Sequence, residues 1–149
     1  MQPSLKRLGI EDLPLLQGVE DDIFDHEVDI DSARRFLSDP RNILIVALVG
    51  DRVVAQLTAV VHQHIDAVPD LFLDNLGVTA EWQRRGIARR MIALAFEAGA
   101  EQGAKTAWVG TEETNEAANA LYTATGATGG RFMMFSYSTL RCRNDEEAQ

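Results

Sequence analysis

A short polar loop between an apolar stretch and an amphipathic stretch constrains the fold of this chain more than any other feature. The loop reads Gln-Arg-Arg-Gly-Ile-Ala at residues 83–88, and it follows an apolar run at residues 71–78. Apolar residues then recur at spacings of three and four from Ile87 to about Gln102, which predicts an amphipathic helix that Gly103 ends. A strand therefore leads through the loop directly into a helix, an arrangement typical of α/β folds.

The start of that helix is expected to bind phosphate. Its first backbone N–H groups lack intrahelical acceptors, and the helix dipole places partial positive charge there. Gly86 allows a ligand to approach the backbone, Ala88 leaves that approach uncrowded, and Arg84 and Arg85 add positive charge. The G-x-x-x-x-G-K-[ST] loop of nucleoside triphosphatases is absent, as is a G-x-G-x-x-G after a strand, so the sequence excludes these two phosphate-binding classes.

Two motifs resemble those of the GNAT acetyltransferase family. Gln-x-x-Gly-x-Ala at residues 83–88 resembles the family's acetyl-CoA pyrophosphate loop, [RQ]-x-x-G-x-[GA]. Asn-x-x-Ala-x-x-Leu-Tyr at residues 115–122 resembles the later motif that carries the thiol end of the cofactor. The two motifs occur in the family's order and spacing. With residues 73–78 they look most like the type I aminoglycoside 3-N-acetyltransferases.

The resemblance implies the α/β GNAT fold, with a mixed central sheet of about six to seven strands and helices on both faces. The residue pattern predicts strands at residues 4–8, 43–49, 52–62, 71–78, 106–109 and 132–137. It predicts helices at residues 11–20, from Asp29 or Asp31 to Leu37, and at residues 87–102 and 115–125. No linker or repeat interrupts the chain, so residues 1–149 are expected to form one domain, with 141–149 as a disordered tail.

The resemblance implies acetyl-CoA as the acyl donor and assigns most of its binding site. The backbone amides of residues 84–88 would hold the pyrophosphate, and arginine side chains would add charge-assisted contacts. The backbone of residues 76–78 would hold the pantetheine arm, and the amide of Leu76 would donate to the thioester oxygen. The expected cofactor-binding residues are Leu76, Gly77, Val78, Gln83, Arg84, Arg85, Gly86, Ile87, Ala88, Arg89, Asn115, Ala118 and Tyr122.

Tyr122 matches the family tyrosine that protonates the leaving thiolate. A phenol with a pKa near 10 suits that role, although a half-buried helix residue of no catalytic function would show the same pattern. Asn115 matches the asparagine that contacts the cofactor arm, and it is also a suitable helix cap.

The residue that removes the amine proton is left open by the sequence. Family members that act on aminoglycosides often carry an acid just before the Leu-[AG]-Val step, and here that position is Asn75, which cannot serve as a base. Asp74 is the first candidate, although a regular strand would turn it to the opposite face unless a bulge rotates it. Glu112 is the second candidate, and Glu113 lies beside it.

The charge pattern favours a cationic acceptor. The formal net charge is −9, which disfavours nucleic acid and anionic membranes as partners. Six acidic residues lie in what we call the acidic segment, residues 21–31, which is either a solvated loop or a rim that attracts cations. His62 and His64 share a strand face but are too few for a metal site, so no metal is predicted.

We therefore predict a cytoplasmic, acetyl-CoA-dependent N-acetyltransferase that acts on a cationic amine by direct transfer in a ternary complex. An aminoglycoside antibiotic is one candidate acceptor, and another small amine, a polyamine or a protein amine is the alternative. A catalytically silent acyl-CoA-binding module is a rival of a different class. The resemblance also implies a homodimer, because many relatives pair through the sheet edge or the C-terminal strand.

Overall fold

The fold is a mixed α/β sheet, seen in a computed structural model that describes residues 2–140; the predicted tail at residues 141–149 lies outside them. The strands are β1 (Ser4–Arg7), β2 (Asn42–Val49), β3 (Arg52–His62), β4 (Asp70–Val78) and β5 (Thr106–Val109). The α-helices are α1 (Ile30–Ser38), α2 (Ile87–Glu101) and α3 (Glu116–Ala124). Two 3₁₀ helices span Ile10–Gly18 and Ala80–Trp82.

The strands follow one another across the sheet in chain order. β1 to β4 are antiparallel neighbours, and β5 runs parallel to β4. The predicted mixed sheet is confirmed, but residues 2–140 contain five strands rather than the six to seven expected. In this part of the chain no helix is long and apolar enough to cross a membrane.

Alternating residues of the central strands build a core on each face of the sheet. In β2, Ile43 and Ile45 pack with the buried stripe of α2, whereas Leu44 and Val46 pack with the first 3₁₀ helix and α1. A strand turns successive side chains to opposite faces, so one buried strand supplies both cores. Helices on both faces of the sheet are thus confirmed. Because α2 packs on the sheet through its buried stripe, the start of this helix lies at one end of the sheet.

Two local predictions need correction. The predicted helix at residues 11–20 is a 3₁₀ helix over Ile10–Gly18, and Pro14 lies inside it. Proline lacks an N–H group and clashes with the carbonyl of an α-helical turn, which explains the tighter, irregular form. For α1 the sequence left two caps open, and the structure selects Asp29, whose carboxylate accepts a hydrogen bond from the Ser32 amide at 2.9 Å.

The predicted strand at residues 132–137 is the larger difference. This part of the chain pairs with none of the strands that the structure describes, and its side chains are exposed. A strand needs a neighbour for its main-chain N–H and C=O groups, and no strand within residues 2–140 pairs with this segment. The predicted strand at residues 132–137 is therefore wrong for the described structure.

Candidate active site

The sheet opens between its two parallel strands. β5 pairs with β4 from Asp70↔Thr106 to Leu73↔Val109 and then ends, while β4 continues to Val78 alongside β3. Among the described residues, no strand therefore lies beside residues 74–78 on the β5 side. An extended ligand can pair with such an edge as a further strand would. The predicted arm-binding residues Leu76, Gly77 and Val78 lie in this opening.

The loop at residues 83–88 has an unusual backbone. Gly86 is the N-cap of α2 with φ 77°, and Arg84 has φ 60°, so both lie in the left-handed region. A non-glycine residue there is uncommon and costs free energy, and such positions cluster at ligand-binding sites. A Cβ built on Gly86 would meet no atom of the described chain within 4 Å. The loop therefore leaves open space in front of the helix start.

The N-terminus of α2 lies behind that space without a side-chain cap. Within residues 2–140 no side chain accepts a hydrogen bond at this N-cap, so the first-turn amides of Ile87 and Ala88 can reach a ligand. The Arg85 guanidinium lies 4.6 Å from the Trp82 ring centre, which holds a positive charge beside the loop. Arg89 donates instead to Ala124 O of α3 at 2.9 Å. Arg84 and Arg85 are thus better placed than Arg89 to contact phosphate.

A β-bulge lies at Asp74. The pairing of β4 with β3 passes from Leu73↔Ala59 to Asn75↔Thr58, so Asp74 has no partner of its own in β3. The side chain of Asp74 is exposed. A bulge re-aims the side chains around it, which is the condition under which Asp74 could reach the opening.

The acidic segment packs directly against this part of β4. A Cβ on Gly77 would collide with Ile23 O, so only glycine permits this approach. The buried side-chain amide of Gln56 donates to Ile23 O at 2.9 Å and to Asn75 Oδ1 at 2.6 Å. Gly77, which is one of the residues predicted to hold the cofactor arm, thus accommodates the close approach of the acidic segment.

Two aspartates of the acidic segment are fixed by this packing. Asn75 Nδ2 donates to Asp25 Oδ2 at 3.2 Å, and Ala80 N donates to Asp22 Oδ2 at 2.9 Å. Hydrogen bonds from the Thr79 side chain and the Ala80 amide lower the pKa of Asp22, so this carboxylate stays ionised at neutral pH. Asp25 therefore places a carboxylate next to Asn75, where the sequence alone offered only an amide. Sequence reasoning included Asp25 in the acidic segment but did not place it beside Asn75.

Tyr122 lies on α3 and lines a groove of about 610 Å³ between α2, β5 and the end of α3. Burial raises the pKa of its phenol, so it carries its proton at neutral pH. Ile92, Leu73 and Val109 line the same groove, and the last two are the final paired residues before β4 and β5 separate. The tyrosine side chain is thus half-buried beside the opening of the sheet.

Asn115 and Ala118 of the second motif meet at the start of α3. Asn115 caps α3, because its Oδ1 accepts from the Ala118 amide at 3.1 Å.

Glu112 is exposed on the loop after β5, and Glu113 forms an ion pair with Arg131 at 2.7 Å. Of these two glutamates only Glu113 has an ion-pair partner within the described chain. Glu112 stays the second candidate for the base.

His62, His64 and Asp70 meet where β4 begins, at the opposite end of that strand from the loop. His64 Nε2 lies 2.9 Å from Asp70 Oδ2, and Trp108 Nε1 donates to Asp70 Oδ1 at 3.3 Å. These hydrogen bonds lower the pKa of Asp70, that from His64 most. The cluster offers three possible metal ligands, one more than the sequence identified.

Comparison with known proteins identifies related sequences and folds. The model of the acetyltransferase (GNAT) family matches residues 10–127. No curated protein sequence matches the chain. Among solved structures, the aminoglycoside acetyltransferase meta-AAC0020 from an uncultured soil metagenomic sample, in complex with sisomicin, is 23% identical with a TM-score of 0.77. That alignment covers 93% of this chain and 96% of the other.

Two further solved structures share the fold at lower identity. AAC(6')-Iy, in complex with the bisubstrate analogue CoA-S-monomethyl-acetylneamine, has a TM-score of 0.80 at 17% identity, over 95% of this chain and 100% of that one. A transcriptional regulator from Bacillus halodurans has a TM-score of 0.76 at 16% identity, over 91% and 99% of the two chains. Neighbours with such different names show that the fold alone does not identify an acceptor.

Proposed function

The chain belongs to the acetyltransferase (GNAT) family, and from that premise we propose that it transfers the acetyl group of acetyl-CoA to a small cationic amine. An aminoglycoside is the acceptor class that we favour. Transfer is direct, within a ternary complex, so the amine attacks the thioester without a covalent enzyme intermediate. Two of the solved neighbours are aminoglycoside acetyltransferases by name, which supports this acceptor class.

One observation carries the choice of a cationic acceptor. The acidic segment lies against β4 at Gly77, and Asp25 is held by Asn75 beside the opening of the sheet. Ionised carboxylates at this place attract ammonium groups and raise their local concentration. Asp21 and Glu27 of the same segment are exposed and add to this negative field. A polyamine has the same charge pattern and is the nearest alternative.

The chain fits acetyl-CoA at two places. The uncapped start of α2, with left-handed Gly86 before it, suits a pyrophosphate that approaches main-chain amides. The edge of β4 beyond Leu73 suits an extended arm, because β5 ends there. Acetyl-CoA supplies the activated acetyl thioester. We assign the phosphates to residues 83–88 and the arm to Leu76, Gly77 and Val78.

The proton path follows from the side chains near the opening. We assign removal of the amine proton to Asp74, with Glu112 as the second candidate, and orientation of the acceptor to Asp25. The Leu76 amide would stabilise negative charge on the carbonyl oxygen. Tyr122, kept protonated by its burial, would donate to the departing thiolate. The amine proton would thus pass to a carboxylate of the protein, and the departing thiolate would receive its proton from Tyr122.

An acceptor screen tests the proposal. Release of free thiol from acetyl-CoA would be followed with aminoglycosides, polyamines, amino acids and lysine-containing peptides at equal amine concentration. We expect turnover with aminoglycosides or polyamines, and a KM for these polycations that rises with ionic strength because salt screens the acidic segment. Turnover confined to amino acids or peptides would refute the cationic small-molecule acceptor. Binding of acetyl-CoA without any turnover would favour the silent module.

Replacing Asp25 by asparagine is expected to raise the KM for a polycationic acceptor about two- to fivefold. An exposed ion pair contributes up to about 1 kcal/mol, which sets this modest size. The turnover number and the affinity for acetyl-CoA should not change, because Asp25 is assigned to orientation only. Initial rates over a range of acceptor concentrations measure the effect.

Asp66→Asn is the matched control for Asp25→Asn. Asp66 is also exposed, but it lies in the connection between β3 and β4, at the far end of the sheet. The Asp66→Asn variant loses the same charge and leaves the acidic segment unchanged. Equal KM values for the two variants would show that net charge, not the position of Asp25, governs acceptor binding.

A further inference from the structure

His62, His64 and Asp70 gather around one small volume at the surface of the sheet. Each side chain offers one ligand atom, and these three atoms lie within 4.8 Å of one another. His62 Nδ1 lies 3.7 Å from Asp70 Oδ1, and His64 Nε2 lies 2.9 Å from Asp70 Oδ2. The two imidazole rings are tilted by 46° with their centres 4.5 Å apart, so they do not stack face to face. The cluster therefore combines two imidazole groups and one carboxylate within reach of a single ion.

The pairing of β3 with β4 fixes the position of this cluster. His62 and Asp70 are direct partners in the antiparallel ladder, so their side chains lie on the same face of the sheet. His64 lies two residues beyond the end of β3. Sequence reasoning counted only the two histidines and therefore predicted no metal. The third ligand comes from the neighbouring strand, which the spacing of the histidines does not reveal.

The donor set suits zinc among the common divalent ions. Imidazole nitrogen is a preferred ligand of zinc, and carboxylate oxygen often accompanies it. Magnesium and calcium prefer a shell of oxygen atoms, which two histidines do not supply. The three side chains also leave a position open for water, as in zinc sites with three protein ligands.

The distances in the cluster are close to those that zinc requires. A tetrahedral zinc ion with bonds of about 2.0–2.2 Å places its ligand atoms roughly 3.3–3.6 Å apart. The 3.7 Å between His62 and Asp70 lies near this range, and the 2.9 Å between His64 and Asp70 would widen as zinc replaces the bridging hydrogen. The His62 side chain is 55% exposed, so it has room to rotate toward the ion.

Trp108 of β5 holds the carboxylate of the cluster in place. Its Nε1 donates to Asp70 Oδ1 at 3.3 Å, and its ring stacks on Phe72 with the ring centres 4.2 Å apart. Carboxylates that bind metals are commonly oriented by such hydrogen bonds. Residues from β3, β4 and β5 thus contribute to one site and its support.

We propose that His62, His64 and Asp70 bind one zinc ion, with water completing the coordination. The ion joins the start of the connection between β3 and β4, residues 63–69, to the first residue of β4. The site lies at the opposite end of β4 from the loop at residues 83–88, so its role is to stabilise this end of the sheet. It takes no part in acetyl transfer, and the inference is independent of the acceptor.

Calorimetric titration of zinc chloride into the untagged full chain tests the site. The titration uses a Cys142→Ser background, which removes the one thiol of the chain because thiolates also bind zinc. We expect saturation at one zinc ion per chain and a higher unfolding temperature when zinc is present. Hydrogen exchange over residues 63–69 should become slower. Magnesium chloride at the same concentration should produce none of these effects.

Two substitutions separate the ligands from their support. His64→Ala should weaken zinc binding at least about 100-fold, because it removes a ligand. Trp108→Phe should weaken it about tenfold, since partners that orient a ligand typically contribute 10–100-fold to metal affinity. Far-UV circular dichroism would verify that both variants are folded. His62→Ala repeats the loss of a ligand at a half-exposed position, where truncation leaves the core unchanged.

His26→Ala is the matched control, because His26 is the only other histidine and lies in the acidic segment. It should bind zinc like the parent chain. A parent chain that does not saturate at one zinc ion, or that binds magnesium equally well, would overturn the proposal. Full zinc affinity in both His62→Ala and His64→Ala would also overturn it. Loss of binding in His26→Ala would do the same, because it would place the metal on the acidic segment.

Discussion

Replacing Tyr122 by phenylalanine is expected to lower the turnover number about 10- to 1,000-fold while leaving the affinity for acetyl-CoA unchanged. The change removes one hydroxyl and keeps the ring that lines the groove beside α2. Loss of a general acid costs rates of this order. Burial raises the pKa of the phenol, so the wild-type proton is available throughout the neutral range. Steady-state rates with the best acceptor, and calorimetric titration of acetyl-CoA, separate the two quantities.

Tyr137→Phe provides the control, because it removes the only other phenol and keeps the apolar ring. It should turn over at the wild-type rate. An unchanged turnover number in Tyr122→Phe would remove the general-acid assignment and leave Tyr122 as a packing residue of α3. A loss of acetyl-CoA affinity without a change in turnover number would assign the hydroxyl to binding instead.

The sequence predicted those parts of the site that depend on local chemistry. The loop at residues 83–88, the start of α2 at Ile87 and the asparagine cap of α3 all follow from residues within one or two turns of each other. Glycine at a left-handed cap and asparagine at an N-cap are favoured by their own backbone and side-chain geometry. The neighbours of these residues in space are also their neighbours in sequence.

The contacts of Asp25, to which we assign orientation of the acceptor, could not be predicted in the same way. Asp25 reaches Asn75 across 50 residues, and the buried Gln56 reaches Ile23 across 33. Such contacts depend on how the acidic segment crosses β4, which no local periodicity encodes. The bulge at Asp74 is similar, because it arises from the register between β3 and β4. The sequence indicated that a bulge would matter but could not place one.

The segment at residues 132–137 shows a third kind of limit. Its pattern predicted a strand from propensity alone, yet the main chain forms no ladder in the described copy. Strand propensity reflects how well side chains fit a half-buried or buried pleated surface. Residues 132–137 have that propensity, but none of the strands within residues 2–140 pairs with them, so the strand prediction is wrong for the described structure.

Replacing Gly86 by valine is expected to weaken acetyl-CoA binding about tenfold or more. Gly86 has φ 77°, where a β-branched residue costs about 1–3 kcal/mol. The protein itself does not fill the space around it, so the new side chain would project into the region assigned to the pyrophosphate. If the loop relaxes to relieve the strain, the amides that form the cradle are displaced; if it does not, the side chain obstructs the phosphate. Both routes reduce affinity, and each 1.4 kcal/mol is a factor of ten.

Gly103→Val separates this effect from general strain. Gly103 follows the other end of α2 with φ 92°, and it too has open space around it. The two variants should therefore lose similar thermal stability, since both force valine into the left-handed region. Calorimetric titration of acetyl-CoA should detect weaker binding only in Gly86→Val. Equal losses of affinity would mean that strain on α2 is responsible, and full affinity in Gly86→Val would contradict the placement of the pyrophosphate at this helix start.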